Sequence, residues 1–296
     1  MPETTANGIS IHYEDHGDKN APPMLLIMGF GAQLTLWPDE LVDELVGHGF
    51  RVIRYDNRDI GLSHKFDGVK APGLIKMTLL GKLGITPKVP YTLSDMADDG
   101  AGLLEALEIP RAHIVGGSMG GMIAQHVAAK HADKTMSLTS IFSTTGHPKL
   151  PAAKPEALKA LVTRPKSIDE EALVEHGMFL SRTIGSPGYP ADADRLRERV
   201  TASVRRSVYP EGPTRHLSAI VADGDRREMI KNITAPTLVL HGEADPLVPV
   251  EGGHDTAAHI PGAKIKTFPG WGHDLPEELI KPIAAEMAEH AKAAQG

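Results

Sequence analysis

At 296 residues, with 41% hydrophobic and 23% charged residues, the chain can bury a substantial core and has the make-up of a globular protein of one large or two small domains. A formal net charge of -7 without any basic run argues against non-specific polyanion binding, and an aromatic content of 4% offers no stacking platform for nucleic acid. With no cysteine there are no disulfides, no thiolate metal sites and no cysteine nucleophile.

The first ten residues, MPETTANGIS, hold neither a basic n-region nor an apolar h-region, so no signal peptide is visible and a cytoplasmic protein is the expectation. Asn7-Gly8 between alternating residues predicts a hairpin, because this pair tolerates the positive φ of a tight turn. Met24 to Gly29 is a continuous apolar run, read as a strand buried on both faces and too short to span a membrane. A helix follows, with Leu41, Val42, Leu45 and Val46 at helical spacing and Gly49 as its stop. Arg51 to Asp56 is the next strand, and residues 64–91 form an insertion with an apolar helix-like piece. Thr92 and Asp95 have capping-box spacing ahead of a helix. Ala112 to Gly117 reads as a strand, the residues after Ser118 as a helix, and Met136 to Thr144 as another strand.

From about residue 146 to 232 the alternation breaks into helical and loop-like sequence rich in proline, with Ser167 and Glu170 as a second capping box. The arginines of residues 195–199 and 205–206 read as a solvated helix face. Strands resume at Ala235 to Glu243 and Ala263 to Phe268, each followed by a helix. This order predicts an α/β fold with a mostly parallel sheet, flanking helices and a helical insertion over one sheet end. Residues 1–145 and 233–296 would form the core, and residues 146–232 a cap.

One segment stands out for chemistry. In HIVGGSMGGMIAQ, Gly116, Ser118 and Gly120 make a G-x-S-x-G pattern. With 30 glycines in the chain the pattern alone can arise by chance, so its context matters: a strand ends at Gly117 and a helix starts after Ser118. Such an elbow projects a serine hydroxyl from the sheet edge, and side chains at Gly116 or Gly120 would collide with the backbone. A phosphate loop is the other use of such a turn, but its Lys and following Ser/Thr are missing.

A serine hydroxyl needs a base, and the base needs an orienting acid. Elbow proteins carry them in the order Ser, acid, His, past the ends of later strands. His273 follows the last strand in a Gly-bracketed turn, and it stands out among 15 histidines. Asp245 lies just past the preceding strand; spacing favours it as the acid and leaves its neighbour Glu243 open. Asp274 adjoins His273 and is poorly placed to reach its Nδ1. Two backbone N–H groups are expected to hold an oxyanion, that of Met119 after the nucleophile and that of Phe30 in the MGFG loop. No metal-ligand spacing and no dinucleotide fingerprint is present, so neither cofactor nor metal is expected.

The segments LLIMGFG, RVIRYDNRDIGLS, HIVGGSMGG, PTLVLHGEADPLVP and GWGHDLP together resemble the α/β-hydrolase family over nearly the whole chain. LWPDEL, YTLSDMADD and GHDLP further resemble the bacterial subgroup that includes aclacinomycin methylesterase. The resemblance implies that Asp245 is the acid and that Asp56 and Arg58 are scaffold near the site. Two departures are notable. Met28 stands where many relatives have His before the oxyanion-loop glycine, and the bulky Trp271 sits beside the catalytic turn.

The expected activity is that of a serine carboxylesterase acting on small to medium esters through an acyl-enzyme on Ser118. It should rise with pH as His273 loses its proton. The same triad would serve a perhydrolase, C–C hydrolase, lactonase or acyltransferase, and a non-catalytic ligand receptor is the reading furthest from these residues. The expected partner is a small-molecule ester, with no nucleic acid and no membrane span; the oligomeric state is open. Leu74, Met77, Leu80, Met178 and Phe179 are equally readable as a hydrophobic entrance or as helix packing.

Overall fold

The computed structural model describes residues 2–73, 77 and 87–295. Its strands are β1 (Glu3–Ala6), β2 (Ile9–His16), β3 (Pro23–Ile27), β4 (Arg51–Tyr55), β5 (Ala112–Gly117), β6 (Thr135–Ile141), β7 (Thr237–Gly242) and β8 (Lys264–Phe268). They form one sheet in the order β1-β2-β4-β3-β5-β6-β7-β8. Asn7 and Gly8, both at positive φ, turn β1 back along β2. β2 also pairs antiparallel with β4, and every later pairing is parallel.

Helices cover both faces, as the strand–helix alternation predicts. Leu41 and Leu45 of α1 (Asp39–Gly47) pack with Ile280, Ile283 and Met287 of α10 (Glu277–Ala293) against Met24, Leu26 and Val52 on one face. On the other face, Leu93 and Met96 of α2 (Leu93–Ala106) and Ile123 and Val127 of α3 (Met119–Lys130) pack on Leu25, Ile27 and Ile114. Thr92 caps α2 through the expected box: its hydroxyl accepts from the Asp95 N–H at 3.1 Å while the Asp95 carboxylate accepts from the Thr92 N–H at 2.7 Å.

Between β6 and β7 the described elements are helical: α4 (Pro155–Val162), α5 (Glu170–Ile184), α6 (Ala193–Arg206), α7 (Gly212–Asp223) and α8 (Arg227–Ile230). α5 and α6 share a small core of Val174, Met178 and Leu196, flanked by Val200 and Val204. α9 (Glu251–His259) follows β7. Among the described residues no helix is long and apolar enough to cross a membrane.

Three local expectations need correcting. The cap of α5 is Asp169, whose carboxylate accepts from the Ala172 N–H at 2.9 Å, while Ser167 bonds to Asp169 instead. β6 stops at Ile141, because Phe142 turns to positive φ. Arg195, Arg197 and Arg205 do pair with carboxylates on an exposed face, but Arg206 turns inward to Asp56 at 2.8 Å. Of the residues readable either as an entrance or as helix packing, Met178 takes the packing role between α5 and α6, and Phe179 is about half exposed. Leu74 and Leu80 lie outside the described residues; Met77 is buried.

Candidate active site

The turn from β5 into α3 holds Ser118 at φ 57° and ψ −121°, a backbone conformation that costs a non-glycine residue about 1–3 kcal/mol. Its surroundings over-determine it. The Ser118 N–H donates to Ile141 O at 2.9 Å, and Ser118 O accepts from the Ser143 hydroxyl at 2.8 Å. The elbow closes so tightly that a Cβ on Gly116 would lie 2.1 Å from Gly120 O, and one on Gly120 would lie 2.0 Å from Ile27 O. Both are backbone collisions that only glycine avoids, as expected for these two positions.

Three side chains anticipated far apart in the chain meet here. His273 Nε2 lies 2.9 Å from Ser118 Oγ, and His273 Nδ1 lies 2.7 Å from Asp245 Oδ2. The other Asp245 oxygen accepts from the Leu247 and Val248 N–H groups at 2.9 and 2.8 Å. Burial opposes ionisation of Asp245, yet the His273 and His241 rings beside it hold its carboxyl well below the usual carboxylate range. An ionised Asp245 is an acceptor only. Nδ1 of His273 therefore donates, and in the neutral ring this leaves the Nε2 lone pair facing the serine hydroxyl.

The competing carboxylates are engaged elsewhere. Glu243 accepts from the Thr267 hydroxyl at 2.8 Å. Asp274 accepts from Ser186 Oγ, and burial pushes its carboxyl up from the usual value. Trp271 is fully buried beneath the His273 turn, against Phe142 and Phe268, and its indole N–H donates to Asp274 O at 2.7 Å. It braces the turn.

Past β3, a Cβ on Gly29 would lie 3.0 Å from Ser118 Cβ and 3.5 Å from the Met119 nitrogen, which brings the Gly29–Phe30 segment against the elbow. Among the described residues neither the Phe30 nor the Met119 N–H donates within the chain. The loop is braced around Met28: Asn57 donates to Met28 O at 2.7 Å, and Asp56 accepts from the Leu34 N–H at 2.7 Å. Asp56 and Arg58 are scaffold, Arg58 making a bidentate pair with Asp99 at 2.6 Å through both contacts.

Sequence reading missed Phe142 and His216. The Phe142 ring centroid lies 4.7 Å from that of His273, and Phe142 takes φ 36° immediately past β6. Its place next to the elbow strand was a usable signal. Nothing in the local sequence of His216 marked it, since its partners lie 158 and 185 residues away.

Residues 22–278 match the family described as alpha/beta hydrolase fold. The chain is 28% identical to a rhodomycin D methylesterase of Streptomyces sp. (strain C5), over 98% of this chain and 97% of that one. It is 25% identical to a bifunctional esterase/perhydrolase of Acinetobacter calcoaceticus, over 96% of both. Among solved structures it resembles the enol-lactonase from Burkholderia xenovorans LB400, with a TM-score of 0.70, 26% identity, and coverage of 98% of this chain and 100% of that one.

Proposed function

The chain belongs to the α/β-hydrolase family, and we propose that it is a serine esterase whose nucleophile is Ser118. The observation that carries this reading is the continuous relay from Ser118 Oγ through His273 to Asp245, at 2.9 and 2.7 Å, on a strained elbow. Full-length similarity to a methylesterase, and to an esterase/perhydrolase, supports ester bonds as the target.

Ser118 Oγ attacks the ester carbonyl carbon as its proton passes to His273 Nε2. The carbonyl electron pair moves onto oxygen, which the Phe30 and Met119 N–H groups receive. The C–O bond to the alcohol breaks, His273 returns the proton to the leaving alcohol, and the acyl group stays on Ser118. Water then gives its proton to His273 and attacks the acyl carbon; the acid departs and Ser118 regains its hydrogen. Asp245 fixes the imidazole tautomer and stabilises the imidazolium in both half-reactions. Residues 146–232 act as a cap that shapes the entrance, with residues 1–145 and 233–296 as the core.

The test is a panel of carboxylic esters of graded acyl length, methyl esters included, with lactone and peroxide arms. Hydrolysis by the wild type and a loss of at least 10³-fold in kcat for Ser118→Ala, with its fold unchanged by circular dichroism, are expected. Wild-type turnover by Ser118→Ala would refute the nucleophile. Activity confined to the peroxide arm would reassign the acyl acceptor.

A further inference from the structure

We propose that His216, delivered by α7 from the helical segment, is a positioning residue for the loop that presents the Phe30 N–H. The proposal rests on the esterase reading above. The His216 ring is fully buried and makes two directed contacts. Nε2 lies 2.8 Å from Arg58 O, and Nδ1 lies 3.3 Å from the Gly31 nitrogen, whose N–H donates to it. A carbonyl can only accept, so the proton is on Nε2 and Nδ1 carries the lone pair that Gly31 needs. Burial, the largest influence, pushes the His216 pKa down to about 4, which keeps the ring neutral at neutral pH.

The geometry around this contact is specific to the loop. Gly31 directly follows Phe30 and sits at φ +64°, with Pro213 Cγ of α7 3.4 Å from where a Cβ would be, an ordinary van der Waals contact. The Phe30 ring meets the His216 ring edge-on at 6.4 Å. α7 is itself pinned: Arg215 makes a bidentate pair with Asp59 at 2.7 and 2.9 Å, and Tyr91 donates to the same Asp59 carboxylate at 2.6 Å. Arg58, Asp59, Arg215 and Tyr91 are thus the charged and titratable groups around the imidazole, and they fix its place.

A mis-set donor weakens stabilisation of the oxyanion and so lowers kcat, whereas substrate binding before the chemical step is little changed. The test compares His216→Asn, His216→Gln and His216→Leu on the best ester of the panel. Asn places an acceptor where Nδ1 was; Gln keeps a donor near the Nε2 position but offers Gly31 nothing. We expect Asn to stay within about threefold of wild-type kcat. Gln and Leu should lose about tenfold or more with KM within about threefold. Equal kcat for Asn and Gln, or a loss confined to KM, would overturn the proposal. If Leu fails to fold, the Asn–Gln pair still decides. If the wild type hydrolyses no ester, the esterase reading fails, and hydrogen exchange at the Gly31 amide decides the positioning contact separately. Protection kept in Asn and lost in Gln supports it, and equal protection in both overturns it.

Discussion

Ser118 is held in a backbone conformation that its residue type disfavours, by glycines that leave no room for a side chain. A methyl group on Gly120 would sit 2.0 Å from Ile27 O, a distance no rotamer change can relieve because both partners are backbone. Gly120→Ala is therefore expected to destabilise the fold by about 3 kcal/mol and to lower kcat as the elbow shifts. Urea unfolding and ester turnover check this, and a change below about 0.5 kcal/mol with full activity would contradict it. The elbow could be read from the sequence because a G-x-S-x-G pattern at a strand-to-helix junction has a local steric cause. His273 stood out because strand ends can be located from apolar runs, whereas spacing left Glu243 open beside Asp245 and only the family resemblance decided for Asp245. Phe142 and His216 were less so: their roles depend on which side chains the fold brings against them, and local spacing does not encode that.

At the scale of elements, the inserted helices meet the site at two points. The C-terminal end of α5 supplies Ile184 O, which accepts from the His273 N–H at 2.8 Å, and Ser186 Oγ accepts from the Gly272 N–H at 2.9 Å. α7 supplies Arg215 and His216. The Arg215–Asp59 pair has almost no solvent contact, so removing one partner strands a buried charge. Asp59→Asn should cost about 3–5 kcal/mol in urea unfolding, and adding Arg215→Met should recover at least half of that. Additive losses in the double variant would show that the pair is not coupled. The existence of these helices was readable from their periodicity. Their docking was not: the arginines of α6 look alike in sequence, yet Arg206 alone turns to Asp56 while its neighbours face outward.

For the whole molecule, the strand order places the candidate triad on β5, β7 and β8 turns at one end of the sheet; strand–helix alternation disclosed a mostly parallel sheet, but which strands neighbour one another is set by tertiary packing. Stability carries a pH signature of its own. Burial pushes the pKa of His113 and His216 down to about 4 from 6.5. Between these limits the unfolded chain binds protons that the folded chain does not, so stability is lost as pH falls from about 6.5 towards 4. His216→Asn should flatten that slope by up to about 1.4 kcal/mol per pH unit, read from urea unfolding at pH 7, 6 and 5; an unchanged slope would show that this histidine is not buried neutral. The central claim, that Ser118 is an activated nucleophile, is tested most directly by mass spectrometry of the folded protein after reaction with a fluorophosphonate. One adduct per chain is expected, on the peptide containing Ser118, and none in Ser118→Ala; an unlabelled wild type, or an adduct on another residue that persists in Ser118→Ala, would contradict it.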